Sequence, residues 1–285
     1  MRIGIIGTGI LGSAAARKLK KLKHEVLVTN RTLAKAKALE SCGIEVKGSP
    51  AELIEAVDTV ILMLPDGPAI GKVLFKELER SFQGKTFIQM GTISPEESRN
   101  ISSAINDRQG QYLECPVLGS RGETDAGRLI LLLGGSEAQF VQFKDLLKPL
   151  GQKYLHIGPV GSAAAFKLAL NQLIVMQACA FSLSLGIIQK KNIDVGLFME
   201  AVRNSAVYAP MFDKKLDNWL QGNYDDPNFS VDHLLKDINL IRSEAESLNL
   251  ETEVIKAAQR LYEKAVEQGI GQKDYSSIYQ VINSG

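Results

Sequence analysis

The sequence predicts an α/β, doubly wound parallel sheet over residues 1–160, followed by an all-α domain over residues 161–285 that is entered by one long interdomain helix. Three observations predict it. Short β-branched or Leu-rich runs alternate with helical segments through the first half. A glycine-rich turn stands directly after the first of those runs. Beyond Gly158-Pro159-Val160-Gly161 no convincing strand remains, and helical periodicity fills the chain.

The elements follow in order. Ile3–Ile6, Val26–Val28, Thr59–Leu64, Thr86–Gln89 and Leu129–Leu133 are brief runs bounded by turn residues and read as strands. Leu11–Leu22 reads as the helix after the first strand. The cations at its end, Arg17-Lys18, Lys20-Lys21 and Lys23, make a solvated face that suits the helix C-terminal dipole. Ser49-Pro50-Ala51-Glu52 and Ser94-Pro95-Glu96-Glu97 each offer a capping Ser, a Pro at the first helical position and a returning Glu. Ser136-Glu137-Ala138-Gln139 repeats that logic without the proline. The second half divides into Ser162–Lys190, Asp194–Arg203, Pro210–Leu220, Val231–Leu248, Glu251–Gln268 and a last segment from Asp274. Its breaks fall at Asn192, from Gly222 to Pro227, and at Gly269-Ile270-Gly271.

Composition narrows the function classes. The 285 residues are 45% hydrophobic and 23% charged, as in globular proteins. Lys+Arg total 33 and Asp+Glu total 32, a formal charge of +1, so the basic surface that phosphate-backbone binding requires is missing. No nucleic-acid partner is expected. The 3 cysteines, Cys42, Cys115 and Cys179, form no C-x-x-C pair and read as reduced thiols, which implies a cytoplasmic location. Met1-Arg2 runs straight into Ile3-Gly4-Ile5-Ile6, without the layout of a targeting segment. From Leu168 to Gln189 no residue is charged, a length that spans a bilayer. Asn171, Gln172, Gln177, Ser182 and Ser184 interrupt it, so a buried central helix is expected and no membrane partner. His24, His156 and His233 read as strand-flanking, loop and helix residues, and no spacing among them suggests a metal.

The chemistry begins at Gly7-Thr8-Gly9-Ile10-Leu11-Gly12. These glycines supply a tight turn, close backbone approach to a pyrophosphate and close helix–strand packing, which makes the sheet Rossmann-like. The helix N-terminus then offers unpaired N–H groups and partial positive charge to phosphates. An NAD-binding chain places a carboxylate at the end of the second strand; here Asn30-Arg31-Thr32 stands there instead. A planar cation flanked by neutral hydrogen-bonding groups suits a 2′-phosphate, so NADP(H) is the expected cofactor. An Arg that merely decorates a turn is the plainer alternative.

These motifs form part of a longer series. Met63-Leu64-Pro65-Asp66, Gly91-Thr92-Ile93-Ser94-Pro95, Glu114-Cys115-Pro116-Val117-Leu118-Gly119-Ser120, Phe166-Lys167-Leu168-Ala169-Leu170-Asn171 and Lys236-Asp237 follow in order. With them the chain resembles, almost end to end, the β-hydroxyacid dehydrogenase family of 3-hydroxyisobutyrate dehydrogenases and glyoxylate/succinic semialdehyde reductases. The resemblance implies that Lys167 is catalytic, and the chemistry agrees: carbonyl reduction needs a proton at oxygen, which a lysine ammonium supplies. Asn171, four residues later, shares its helical face. Read alone, Lys167 equally suits a side chain that snorkels to solvent. The resemblance further implies that Lys236 touches the cofactor and that Asp237 and Phe229 line the substrate pocket. It places Thr92 near the nicotinamide, Met63, Leu64 and Pro65 beside the cofactor, and Leu118-Gly119-Ser120 in the substrate loop. By themselves, Lys236-Asp237 suits a helix ion pair and Phe229 a core aromatic.

Two departures from the family pattern concern the substrate. Its loop usually carries Ser and following N–H groups that grip a carboxylate, whereas this chain has Leu118 where that Ser stands and Ser120 where a Gly stands. Gly91 likewise replaces a frequent Ser. The expected activity is NADPH-dependent reduction of a small aldehyde acid, in a homodimer or homotetramer. The alternatives are 3-hydroxy acid oxidation, imine reduction, which the retained Lys167 disfavours, and non-catalytic NADP binding.

Overall fold

The computed structural model describes residues 2–76 and 81–284. The chain forms two compact units, Met1–Leu168 and Ala169–Gly285. This division falls inside the long helix, whose first turn is hydrogen-bonded to a strand of the first unit.

The first unit carries strands β1 (Arg2–Ile6), β2 (Glu25–Thr29), β3 (Glu45–Val46), β4 (Thr59–Leu62), β5 (Thr86–Gln89), β6 (Gln111–Glu114), β7 (Val117–Leu118), β8 (Leu129–Gly134) and β9 (Gly151–Gly158). Its helices are α1 (Ile10–Lys21), α2 (Leu33–Lys37), α3 (Pro50–Ala56), α4 (Gly67–Gly71), α5 (Pro95–Asn106), α6 (Arg121–Ala126) and α7 (Glu137–Leu147). The sheet order is β3-β2-β1-β4-β5-β6-β8-β7, with β9 on β8. Neighbours are parallel from β3 to β6, so the expected doubly wound part is present. The expectation of a wholly parallel sheet fails at one end, where β8 runs antiparallel to β6 and β7. The chain reverses there with only the short α6 between β7 and β8, too little for a parallel crossover.

Side chains alternate between two cores. Ile3, Ile5, Val28, Ile61, Ile88 and Leu113 face one side with Ala15, Leu19 and Leu147. Ile6, Val60, Leu62, Phe87 and Tyr112 face the other with Leu53, Ile70 and Ile101. The capping serines act as expected: Ser49 and Ser136 each accept the N–H three residues on, and Ser94 forms a full capping box with Glu97. The strand expected to end at Leu64 ends at Leu62, because Pro65 turns the segment ahead of it. Four strands went unread. β3 and β7 are two residues long, while β6 is short and polar at both ends. β9 is a half-exposed edge strand without an apolar run.

The second unit is helical, with α8 (Ser162–Lys190) entering it, then α9 (Val195–Arg203), α10 (Pro210–Gln221), α11 (Val231–Ser247), α12 (Glu253–Glu267) and α13 (Ile278–Ile282). By length and composition α8 is apolar enough to cross a membrane, with 39% of its most apolar window buried. Its buried positions, Leu168, Asn171, Val175, Ala178, Phe181, Ser182 and Leu185, recur at helical spacing on one face. Phe181 and Leu185 pack with Met199, Phe212 and Trp219, and the Phe181 and Phe212 rings stack at 4.3 Å. A buried ion pair that the sequence did not suggest, Lys215 Nζ to Asp274 Oδ2 at 2.7 Å, anchors the C-terminal segment.

Candidate active site

The parallel ladder continues past the strand ends and brings the expected loops to one edge of the sheet. Gly7 N–H donates to Thr29 O, Met63 N–H to Ile6 O, Met90 N–H to Leu62 O and Cys115 N–H to Gln89 O, at 2.7–3.0 Å. So Gly7-Thr8, Asn30-Arg31, Met63-Leu64, Gly91-Thr92 and Leu118–Ser120 all leave from the carboxyl ends of neighbouring strands. Strand order reverses between β1 and β4, the place where open α/β sheets bind ligands.

The glycine loop is built by close approach. Gly7 has φ +102°, and a Cβ there would stand 2.2 Å from the Met63 carbonyl oxygen; one on Gly12 would stand 1.9 Å from that of Gly7. Gly9 differs, since a Cβ there would meet nothing within 4 Å. Gly9 is also the N-cap of α1, with no side-chain cap and no acidic residue in the first turn. An uncapped helix start beside open space fits a dinucleotide pyrophosphate, to which the first N–H groups of Ile10, Leu11 and Gly12 would donate.

Asn30 Oδ1 accepts from Thr8 N–H at 3.1 Å and its Nδ2 donates to Thr32 O at 3.0 Å, so its amide ties the glycine loop to the neighbouring turn. Arg31 and Thr32 are exposed. Thr8 is buried, and its hydroxyl oxygen has no partner among the described residues.

The loop expected to hold substrate is tied to itself. Gly119 has φ +125°, a conformation that only glycine adopts without strain. Ser120 donates both its N–H, at 2.7 Å, and its hydroxyl, at 2.5 Å, to Glu123 Oε2. Ser120 is thus the N-cap of α6, with its backbone N–H bonded to that carboxylate. Leu118 is half-buried beside it. The sequence signal was present: Ser120-Arg121-Gly122-Glu123 is the same capping signature that marks Ser49 and Ser94.

Lys167 is 9% exposed on α8, one turn before Asn171. In the second unit Asn171 Nδ2 donates to Asp237 Oδ2 at 2.6 Å, and Lys236 Nζ pairs with Asp237 Oδ1 at 2.6 Å. Asn171 and Asp237 are each 1% exposed, and Asn171 Oδ1 has no partner among the described residues. Asp237 so fixes the Asn171 amide. Phe229 packs edge-on against Tyr275 at 6.0 Å. Among the described residues no group of three or more His, Cys, Asp and Glu could hold a metal ion.

Known proteins place this geometry. The family described as the NAD binding domain of 6-phosphogluconate dehydrogenase matches residues 2–158. The family described as NAD-binding of NADP-dependent 3-hydroxyisobutyrate dehydrogenase matches residues 161–282. The chain is 32% identical to glyoxylate/succinic semialdehyde reductase 1 of Arabidopsis thaliana, covering 99% of this chain and 98% of that one. It is 27% identical to 2-hydroxy-3-oxopropionate reductase of Escherichia coli (strain K12), covering 99% and 97%. The crystal structure of 3-hydroxyisobutyrate dehydrogenase from Salmonella typhimurium has the same fold, with a TM-score of 0.88, 22% identity and 99% coverage of both chains.

Proposed function

Because the chain belongs to the β-hydroxyacid dehydrogenase family, oxidoreductases acting on CH–OH groups with a nicotinamide cofactor, we propose that it reduces a small aldehyde acid with NADPH. The acid is of the succinic semialdehyde or glyoxylate kind, in keeping with the names of its Arabidopsis relative. The observation that carries the reading is Lys167, a lysine 9% exposed on a helix with no other charge until its last residue, one turn before Asn171.

The cofactor, when bound, supplies hydride to the carbonyl carbon. Gly9 and the start of α1 hold its pyrophosphate, and Arg31, with Thr32, its 2′-phosphate, through a bidentate guanidinium. Met63, Leu64, Pro65 and Thr92, at the β4 and β5 ends, would border the cofactor. Lys167, as an ammonium, donates a proton to the substrate oxygen as negative charge develops there. Asn171 presents its unpartnered Oδ1 as an acceptor for the product hydroxyl, in an orientation set by Asp237. Leu118 and Gly119 shape the first unit's side of the pocket for the rest of the substrate.

A homodimer or homotetramer paired through α8 completes the proposal. Phe166, Leu173, Leu183 and Ile187 are 41%, 56%, 55% and 54% exposed. With Ala169, Met176 and Ala180 they step along α8 by alternating three and four residues, the spacing of a helix–helix seam. A monodisperse monomer in light scattering at micromolar concentration contradicts the pairing. The free thiols of Cys42, Cys115 and Cys179 support a cytoplasmic location.

The direct test is NADPH oxidation against a panel of aldehydes with and without a carboxylate, with the reverse reaction measured on the matching hydroxy acids. Turnover of the aldehyde acids supports the proposal. Turnover confined to hydroxy acid oxidation with NAD contradicts it.

A further inference from the structure

Glu114 ends β6 with no exposed surface. Its carboxylate is held mainly by the backbone of another element. Gly161 N–H donates to Oε2 at 2.8 Å and Ala164 N–H to Oε1 at 2.9 Å. These amides belong to the first turn of α8, which has no partner for them within the helix. At α3, α4, α5, α7, α9 and α11 a Ser or Asp beside the helix does that work; α8 starts after Gly161, and a strand residue 47 positions earlier does it instead. Gly134 makes room for the carboxylate, since a Cβ there would stand 2.0 Å from Oε2. Burial pushes the Glu114 carboxyl above its ordinary range, and the N–H donors work against that rise.

Three segments carrying candidate site residues radiate from this point. Lys167 follows Ala164 by less than one turn of α8. Leu118–Ser120 lies just past Glu114 in sequence, through Cys115, Pro116 and Val117. On the neighbouring strand Gln89, in register with Glu114, is uncharged and opposes it with no like charge, and it leads directly to Thr92. We infer that Glu114 is the positioning residue for Lys167: its carboxylate clamps the first turn of α8 to the end of β6 and so sets the lysine in register with the loop at Leu118–Ser120. Glu114 touches neither substrate nor cofactor. It acts through the helix, and for the rate it rests on the reductase reading above.

Glu114→Gln tests this in the full-length protein, because it keeps the volume but replaces one acceptor with an NH2 that cannot receive an N–H. Losing one charge-assisted hydrogen bond predicts a kcat about 10- to 100-fold lower, with the KM for NADPH within about twofold. Amide hydrogen exchange should quicken at residues 161–164 and not in β1 or β4, and Lys167 should be acylated faster by an amine reagent. Glu114→Asp, which keeps the charge, should recover part of kcat. Unchanged kcat, or exchange that quickens equally across the whole sheet, makes Glu114 a fold residue only and overturns the inference. If wild type reduces no aldehyde in the panel, the reductase reading fails by itself. The exchange and acylation arms then still decide the clamp: quickening confined to α8 supports it, and no change overturns it.

Discussion

The glycine loop at Gly7–Gly12 and the loop at Leu118–Ser120 leave the same edge of one sheet, yet they are built in opposite ways. The first is made of backbone: Gly7 and Gly12 sit where any Cβ would strike a carbonyl oxygen, and Gly9 opens to empty space. The second is made of side chains, with Ser120 bound to Glu123 and Leu118 contributing bulk. A backbone cradle binds what every dinucleotide has. What a side-chain loop offers changes with a single partner residue. On the proposed function, the backbone cradle is the generic part of the protein and the loop at Leu118–Ser120 its individual part.

The largest expected effect lies on α8 and spares both loops. Lys167→Ala should lower kcat by about 10²–10⁴ with the KM for NADPH nearly unchanged, since proton transfer belongs to the transition state. Lys167→Arg should be almost as harmful, because guanidinium keeps its proton at neutral pH. Steady-state kinetics checks both, and near-normal turnover in either removes Lys167 from the chemistry.

The next effect distinguishes the cofactors. Arg31→Ala should raise the KM for NADPH by about 10- to 150-fold, the worth of a charge-assisted bidentate contact, and leave that for NADH almost unmoved. The difference should shrink as ionic strength rises, because Arg31 is exposed. Equal losses for the two cofactors would mean that Arg31 holds the turn and not a phosphate.

Within the glycine loop, the two neighbours should separate stability from binding. Gly12→Ala should cost about 1–3 kcal/mol of stability, as overpacking against backbone does, and lower Tm in a thermal melt. Gly9→Ala should leave Tm nearly unchanged and raise the KM for NADPH, because its Cβ enters only the space a pyrophosphate needs. If both melt alike, the cradle is not open at Gly9.

The smallest effect sharpens the substrate side. Leu118→Ser restores a hydroxyl donor and removes bulk, and should raise kcat/KM for an aldehyde acid by about 10-fold, the worth of one hydrogen bond to a charged group. Its activity on a neutral aldehyde of equal length should not rise. An equal gain on both would trace the change to room alone.

Legibility in the sequence followed the same divide. The glycine turn, the proline-led capping boxes and the long helix are local patterns, and each stands where the residues placed it. Capping at Ser120 is equally local and visible as Ser-x-x-Glu. Glu114 to the start of α8 and Lys215 to Asp274 join residues 47 and 59 apart, and no periodicity or spacing announces such pairs. The edge strand β9 escaped because half-exposed strands lack a continuous apolar run. The Asn30 bonds to Thr8 and Thr32 were not legible, since composition alone does not say which groups an amide meets.

Protonation of the carbonyl oxygen of an aldehyde acid by Lys167, with NADPH as reductant, is decided by kcat/KM for succinic semialdehyde and for glyoxylate with NADPH and with NADH, in wild type and in Lys167→Ala. The predicted result is turnover that favours NADPH and falls by about 10²–10⁴ in the variant at unchanged cofactor KM. Preference for NADH, or a variant that reduces either acid as fast as wild type, would contradict it.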